Sequence, residues 1–400
     1  MLSFQQRYLL VYYFGLIILL SACEIQENIA EPGISFSRVY NSNDFQASYD
    51  PLDIIHTADS GYLALAATDS WTPYLLKTDH EGKLSWTSSL EEPFVSPLPD
   101  LYQRNGDVFM LCMNELNLST YILQIGENGN TTVVFNDQDL TYPLAASITP
   151  DGGWLIQAYR KESRKTILCK LTSNYQVEWK RDFDVLEDVE EQLIRHLSRT
   201  GKRLPFFTGY ASGNRNSGFY YFNGFNNFTL SLTFVNPADG EPIGLINGFR
   251  DSEYINAAVV LNSGSFALSK NSFGDNFFLP SLEVNSRNIA SSSELEASSF
   301  PEIASDARVI IKKVQVLNRD IHLYATHSKS KRIMLYAYDS EQAMLLGVEY
   351  LGQTSPYEIG NLSMTSDGGM IILGKTFIAG RFPRLCLFKL SKEEVEAIIQ

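Results

Sequence analysis

Cysteine is scarce in this chain: four in 400 residues. Cys112, Cys169 and Cys386 sit far apart, each inside an apolar, strand-like run such as Ile167-Leu168-Cys169. No Cys-x-x-Cys spacing occurs, which excludes a thiolate metal ribbon or a dense disulfide framework and leaves these residues as small core hydrophobes. Basic charge is also short, with 32 Lys and Arg against 46 Asp and Glu and a formal net charge of −14. A surface of that sign excludes non-specific attachment to nucleic acid, which needs cations to neutralise phosphates. No apolar run is long enough to cross a bilayer comfortably; the run Tyr8 to Leu20 has 13 residues. Catalytic signatures are missing too. The five His show no His-Glu-x-x-His spacing, and no Gly-x-Ser-x-Gly elbow or glycine-rich phosphate loop is present. The sequence therefore gives no reason to expect a metal or a cofactor. Asp137 and Asp139 form a carboxylate pair between strands and read as a solvated turn.

What is present begins with an address. Residues 1–22 carry one charge, Arg7, ahead of the apolar run, which has the length of a signal-peptide hydrophobic region. It ends in Leu20-Ser21-Ala22-Cys23, which resembles the bacterial lipobox. The resemblance implies cleavage before Cys23 and acylation of its thiol, so that lipid holds a folded domain on a membrane. Glu24 stands where an Asp would favour inner-membrane retention, so the outer membrane is expected by analogy. Glu24 and Glu27 also resemble the acidic surface-export signals of Bacteroidota lipoproteins. Residues 23–33 read as a tether and residues 34–400 as the folded domain.

That domain repeats. Ile148-Thr149-Pro150-Asp151-Gly152-Gly153-Trp154 aligns with segments at Ile55 to Tyr62 and at Met364 to Met370. Each is an apolar strand, an Asp-Gly type turn and a second strand, the turn residues being those that tolerate positive φ. A third strand follows, ending at Lys77-Thr78, Lys170-Leu171 or Lys389-Leu390, and in two copies a fourth strand opens on Trp86 or Trp179. Looser copies turn near Asp107, Gly218, Gly264 and Asp320. The turn anchors 61, 107, 153, 218, 264, 320 and 369 are spaced by 46, 46, 65, 46, 56 and 49 residues. Four short antiparallel strands at this period are the signature of a β-propeller blade.

The expected fold is all-β: a seven-bladed β-propeller with four antiparallel strands per blade. The seventh repeat stops after its third strand, and Ile34 to Tyr40 supplies a spare strand at the other end. The last blade is therefore predicted to be closed by the N-terminal strand, which removes two exposed sheet edges. The repeats resemble the Asp-Gly-Gly propeller repeats of secreted and lipid-anchored Bacteroidota proteins across residues 34–390. That resemblance implies a fold and transfers no catalytic residue.

In such a ring the second-to-third loops and the blade-to-blade connections share one face. Two longer segments are expected there as blade-to-blade connections: Asp184 to Lys202, where Val185, Val189, Leu193 and Leu197 recur at helical spacing, and Ser291 to Ser305. The loops of this face bring together Trp71, Arg160, Arg164, Phe225, Phe273, Lys331, Arg332 and Arg381, with Lys375 nearby. Aromatics beside Arg and Asn suit sugar rings, or an anionic ligand or partner surface. The expected function is that of a non-catalytic outer-membrane lipoprotein, a binding or scaffold subunit using this insertion-bearing face. Its expected partners are the membrane, through the lipid on Cys23, and an envelope protein complex or extracellular polymer. The competing reading is a glycan-binding accessory lipoprotein or a carbohydrate-active enzyme.

Overall fold

A computed structural model describes residues 34–40, 47–212, 218–352, 355–377 and 382–400. Seven antiparallel sheets stand around an axis, making a seven-bladed β-propeller. Blade one runs Tyr49–His56, Tyr62–Thr68, Pro73–Thr78 and Leu84–Ser89 from the axis outward. Blade three repeats it with Pro143–Ile148, Trp154–Arg160, Lys165–Leu171 and Val177–Asp184. The middle strands are buried on both sides because each sheet is sandwiched between two others, so they read as continuous apolar runs.

Packing is between blades. Separate apolar clusters fill the joints around the ring, such as Leu52, Leu65 and Leu75 of blade one against Met110, Cys112 and Leu123 of blade two. Trp154 opens the second strand of blade three and is fully buried, with Tyr102 and Phe109 of blade two meeting its ring edge-on at 5.0 and 5.9 Å. The three cysteines of the described residues are free, buried and packed in such clusters.

The ring closes as the sequence predicts. Phe36–Tyr40 pairs antiparallel with Arg384–Leu390 as the outer strand of blade seven, in the register Phe36 to Lys389 and Tyr40 to Leu385. Tyr40 also donates its hydroxyl to the Gly82 carbonyl of blade one at 2.7 Å, so the closing strand is held by both neighbours. A short helix, Lys392–Ala397, follows the last strand, and Ser391 and Glu394 form its capping box.

The Asp-Gly turns and the terminal lysines of the third strands prove to be one device. In blades one, three and seven the lysine reaches back to the turn aspartate: Lys77 to Asp59 at 2.7 Å, Lys170 to Asp151 at 2.7 Å, Lys389 to Asp367 at 2.9 Å. Each ammonium also donates to the carbonyl of the next residue. A threonine hydroxyl donates to the same aspartate from the other side. The second glycine leaves room for this chemistry. A Cβ on Gly153 would lie 2.0 Å from the Leu171 carbonyl oxygen and 3.0 Å from the Lys170 Nζ. Partial burial works against the Asp59 charge, yet the bonds from Lys77 and Thr57 hold its carboxyl down at about 2.

The two long segments behave differently. Asp184 to Lys202 is a blade-to-blade connection carrying a helix, α1 (Glu190–Leu197), with Val185, Val189, Leu193 and Leu197 buried as their spacing predicts. Ser291 to Ser305 is not simply a connection. Ser298–Ser299 in it is the short outer strand of blade five, and just ahead Ile289–Ser291 adds to the outer edge of blade four in parallel with Pro242–Asn247. Blade five breaks off early at its outer strand, and the chain uses the length released to brace its neighbour.

Candidate functional site

The innermost strands all enter the ring from the insertion-bearing face, so their first residues surround the mouth of the axial channel. A cavity of about 480 Å³ opens there, and its wall draws on all seven blades and the insertion after α1. Its charged groups fall into an outer ring and an inner floor.

The outer ring is an ion-pair network centred on Asp50, the second residue of blade one's first strand. Arg203 and Arg199 arrive from the insertion, Arg203 hydrogen-bonded to the Asp50 carboxylate and Arg199 Nε 3.4 Å from it. Lys375 of blade seven bridges Asp50 at 3.0 Å and Glu358 at 3.0 Å, and Lys331 of blade six takes the other Glu358 oxygen at 2.7 Å. Burial opposes the Asp50 charge, but Arg203, Lys375 and Arg199 hold its carboxyl well below the usual aspartate range. Glu358 is likewise lowered against burial by Lys375 and Lys331. The network ties the insertion to blades one, six and seven.

The floor is less well matched. Arg308 of blade six donates to the Leu52 carbonyl of blade one at 3.1 Å and the Gly360 carbonyl of blade seven at 3.0 Å, spending its guanidinium on neutral partners. Asp53 accepts from the backbone of Leu101 at 2.6 Å and of Ile54 at 2.8 Å. Burial nonetheless keeps its carboxyl above the usual aspartate range, against the pull of Lys312. Burial and the Asp53 charge push Asp100 up to about 6. Lys312 lies within electrostatic reach of both aspartates but makes no hydrogen bond or ion pair among the described residues. His327, only 5 % exposed, has no partner for either ring nitrogen among them, and burial lowers its pKa to about 4, so the imidazole is neutral. His196 is also held neutral by burial beside Arg203, and its Nδ1 accepts from the Leu204 backbone at 2.9 Å.

The loop residues singled out in the sequence are spread around the rim. Trp71 sits in blade one's turn with φ of 64° and is about a third exposed. Phe273, at 71 % exposure, lies 6.0 Å from the exposed Phe249 ring. Arg160 and Arg164 of blade three face Asp182 and Asp188 at 3.7 and 3.8 Å. Arg332 stacks over Tyr350 at 4.6 Å. Lys331 joins the channel network, as does the neighbouring Lys375. Phe225 is a correction: it is 5 % exposed because the insertion covers it, with Phe206 6.1 Å away. Cys23 and Arg381 lie outside the described residues. Asp137 is paired with Lys180 at 2.7 Å, and no metal-binding cluster occurs among the described residues.

Sequence reasoning missed the channel mouth apart from Lys331 and Lys375. A signal existed: Asp50 and Glu358 are the second residues of their innermost strands, and Asp100 immediately precedes its own. Charge at that position points to the axis.

The class these features define is a β-propeller with a capped, charged channel mouth. No family model matches the chain, and no curated protein matches it. Solved structures do. One is a catalytically inactive virginiamycin B lyase from Staphylococcus aureus with quinupristin, at 10 % identity, TM-score 0.49, covering 89 % of this chain and 100 % of that one. Another is the Core Factor of S. cerevisiae, at 11 % identity and TM-score 0.50, covering 94 % of this chain and 63 % of that one. The β-propeller domain of the Trilobed protease from Pyrococcus furiosus aligns at 10 % identity, TM-score 0.44, covering 87 % and 97 %. At these identities the likeness is one of fold.

Proposed function

We propose that this chain is a non-catalytic binding or scaffold subunit of the outer membrane, anchored by lipid on Cys23 like the Asp-Gly-Gly propeller lipoproteins it resembles, and that it meets its partner through the insertion-bearing face. One observation carries the reading. The chain enters the fold at Phe36, which pairs with Lys389 and packs on Gly82, on the rim of the Asp-Gly turns and opposite the channel mouth. The roughly eleven residues from Cys23 onward span at most about 38 Å when extended. A propeller held by them presents the capped mouth, α1 and the exposed Phe249 and Phe273 away from the bilayer, to a protein complex or polymer of the envelope. Proteins of this class bind through loops on a rigid ring.

The test has two parts. Palmitate should label the wild-type chain, and Cys23→Ala should abolish the label and move the protein to the soluble fraction. A stoichiometric protein partner should then co-purify from detergent-solubilised membranes and be lost on the double change Phe249→Ala and Phe273→Ala. A chain that takes no label, or a partner indifferent to those two rings, overturns the reading.

A further inference from the structure

We propose that the channel mouth is a binding site for a small polyhydroxylated carboxylate, a sugar acid, whose carboxylate is held by Lys312 and whose hydroxyls are read by His327 and Asp100. The proposal deepens the reading above, because it places a ligand on the face assigned to binding.

Size comes first. A cavity of about 480 Å³ falls within the range of roughly 300–1,000 Å³ typical of small-molecule sites. It is too small for a folded partner. The wall then supplies a chemistry that the fold does not use up. Most cations at the mouth are spent: Arg199 and Arg203 on Asp50, Lys375 on Asp50 and Glu358. Lys312 is not, and it is half-buried on blade six's first strand, where an ammonium without a bonded partner is costly. A ligand carboxylate gives it one. Arg308 adds positive charge beside it, fixed by its two carbonyl partners.

An inorganic anion would need nothing more, but the site holds more. His327 presents a neutral imidazole with one donor and one acceptor, both without partners and nine-tenths buried. Buried polar atoms are normally satisfied, and His327 is among the residues lining this cavity, so its unpartnered donor and acceptor are each suited to a ligand hydroxyl. Asp100, which also lines the cavity, supplies a further acceptor. Phe206, Phe207 and Tyr254 line the remaining wall and suit the apolar face of a sugar ring. Charge for one end, hydroxyl partners in the middle and aromatic surface beneath make a uronate-like ligand the best match.

Calorimetry on the full-length chain in detergent tests this with sodium D-glucuronate, D-glucose and inorganic phosphate. Glucuronate should bind saturably, glucose about tenfold more weakly or worse, and phosphate should not displace glucuronate. Lys312→Gln should weaken glucuronate about tenfold and leave the weak glucose affinity unchanged, while His327→Gln should weaken both by roughly fivefold. An unchanged melting temperature for Lys312→Gln shows the variant to be folded. No glucuronate binding, displacement by phosphate, or glucuronate affinity indifferent to Lys312→Gln each overturns the proposal. The two readings fail separately. A chain that is lipidated and partner-bound but ignores glucuronate refutes only the ligand, and one that binds glucuronate without palmitate or partner refutes only the envelope role.

Discussion

Blade three and blade five have the same turn and hold it by different chemistry. In blade three, Asp151, Gly153 and Lys170 make an ionic lock around a close backbone approach. At the corresponding places blade five has Ser263, Ser265 and Ser281, whose hydroxyls bond in a chain at 2.8 and 3.0 Å. The backbone turn survives: Thr149 N–H donates to Gly153 O at 3.0 Å in one, Leu261 N–H to Ser265 O at 2.8 Å in the other. Without the long lysine a side chain fits where glycine was, and a bulge between Phe266 and Leu268 adjusts the strand. The three residues have changed as a unit. The Asp-Gly-Gly signature is thus a fastening of the turn rim, far from the channel mouth. It marks which blades are regular and carries no information about binding.

If that is right, Gly153→Ala should do the most harm, about 3 kcal/mol of unfolding free energy by urea titration, since the new Cβ meets backbone and not a movable side chain. A loss under about 1 kcal/mol would mean that the glycine is a mere turn former. Asp367→Ala comes next, at about 2 kcal/mol, because it leaves the Lys389 ammonium buried with only a carbonyl. Its pH dependence has a definite sign. Burial opposes the Asp367 charge, but Thr365 and Lys389 lower its pKa, so the stabilisation is full above the ordinary value of 3.8 and fades as pH falls beneath it. The gap between wild type and variant should therefore close in acid. Ser263→Ala should cost about 1 kcal/mol or less and stay flat with pH, since hydroxyls do not titrate there. An acid-sensitive Ser263→Ala would break the contrast.

The same contrast explains what could be read without coordinates. Turn chemistry is local, so Asp-Gly turns, terminal lysines and the period between them betray the blades, their number and the closing strand. Val185, Val189, Leu193 and Leu197 betray α1, because one buried helical face is also a local pattern. Blade five's outer strand, Ser298–Ser299, has neither length nor alternation and passes for a loop. The channel mouth is harder for a different reason. Asp50, Arg203 and Lys375 are far apart in the chain and individually unremarkable, and only ring closure brings them within bonding distance. Phe225 misled because an aromatic in a loop-rich stretch reads as exposed until the covering insertion is placed.

The strand Phe36–Tyr40 has a mechanical side as well. It is the first strand of the described chain, and a pull applied at Phe36 along the strand axis acts on the whole ladder. Its rungs to Arg384–Leu390 are then loaded together, in shear, and none can be peeled off singly. The rung that fastens the circle is also the one best placed to resist being dragged.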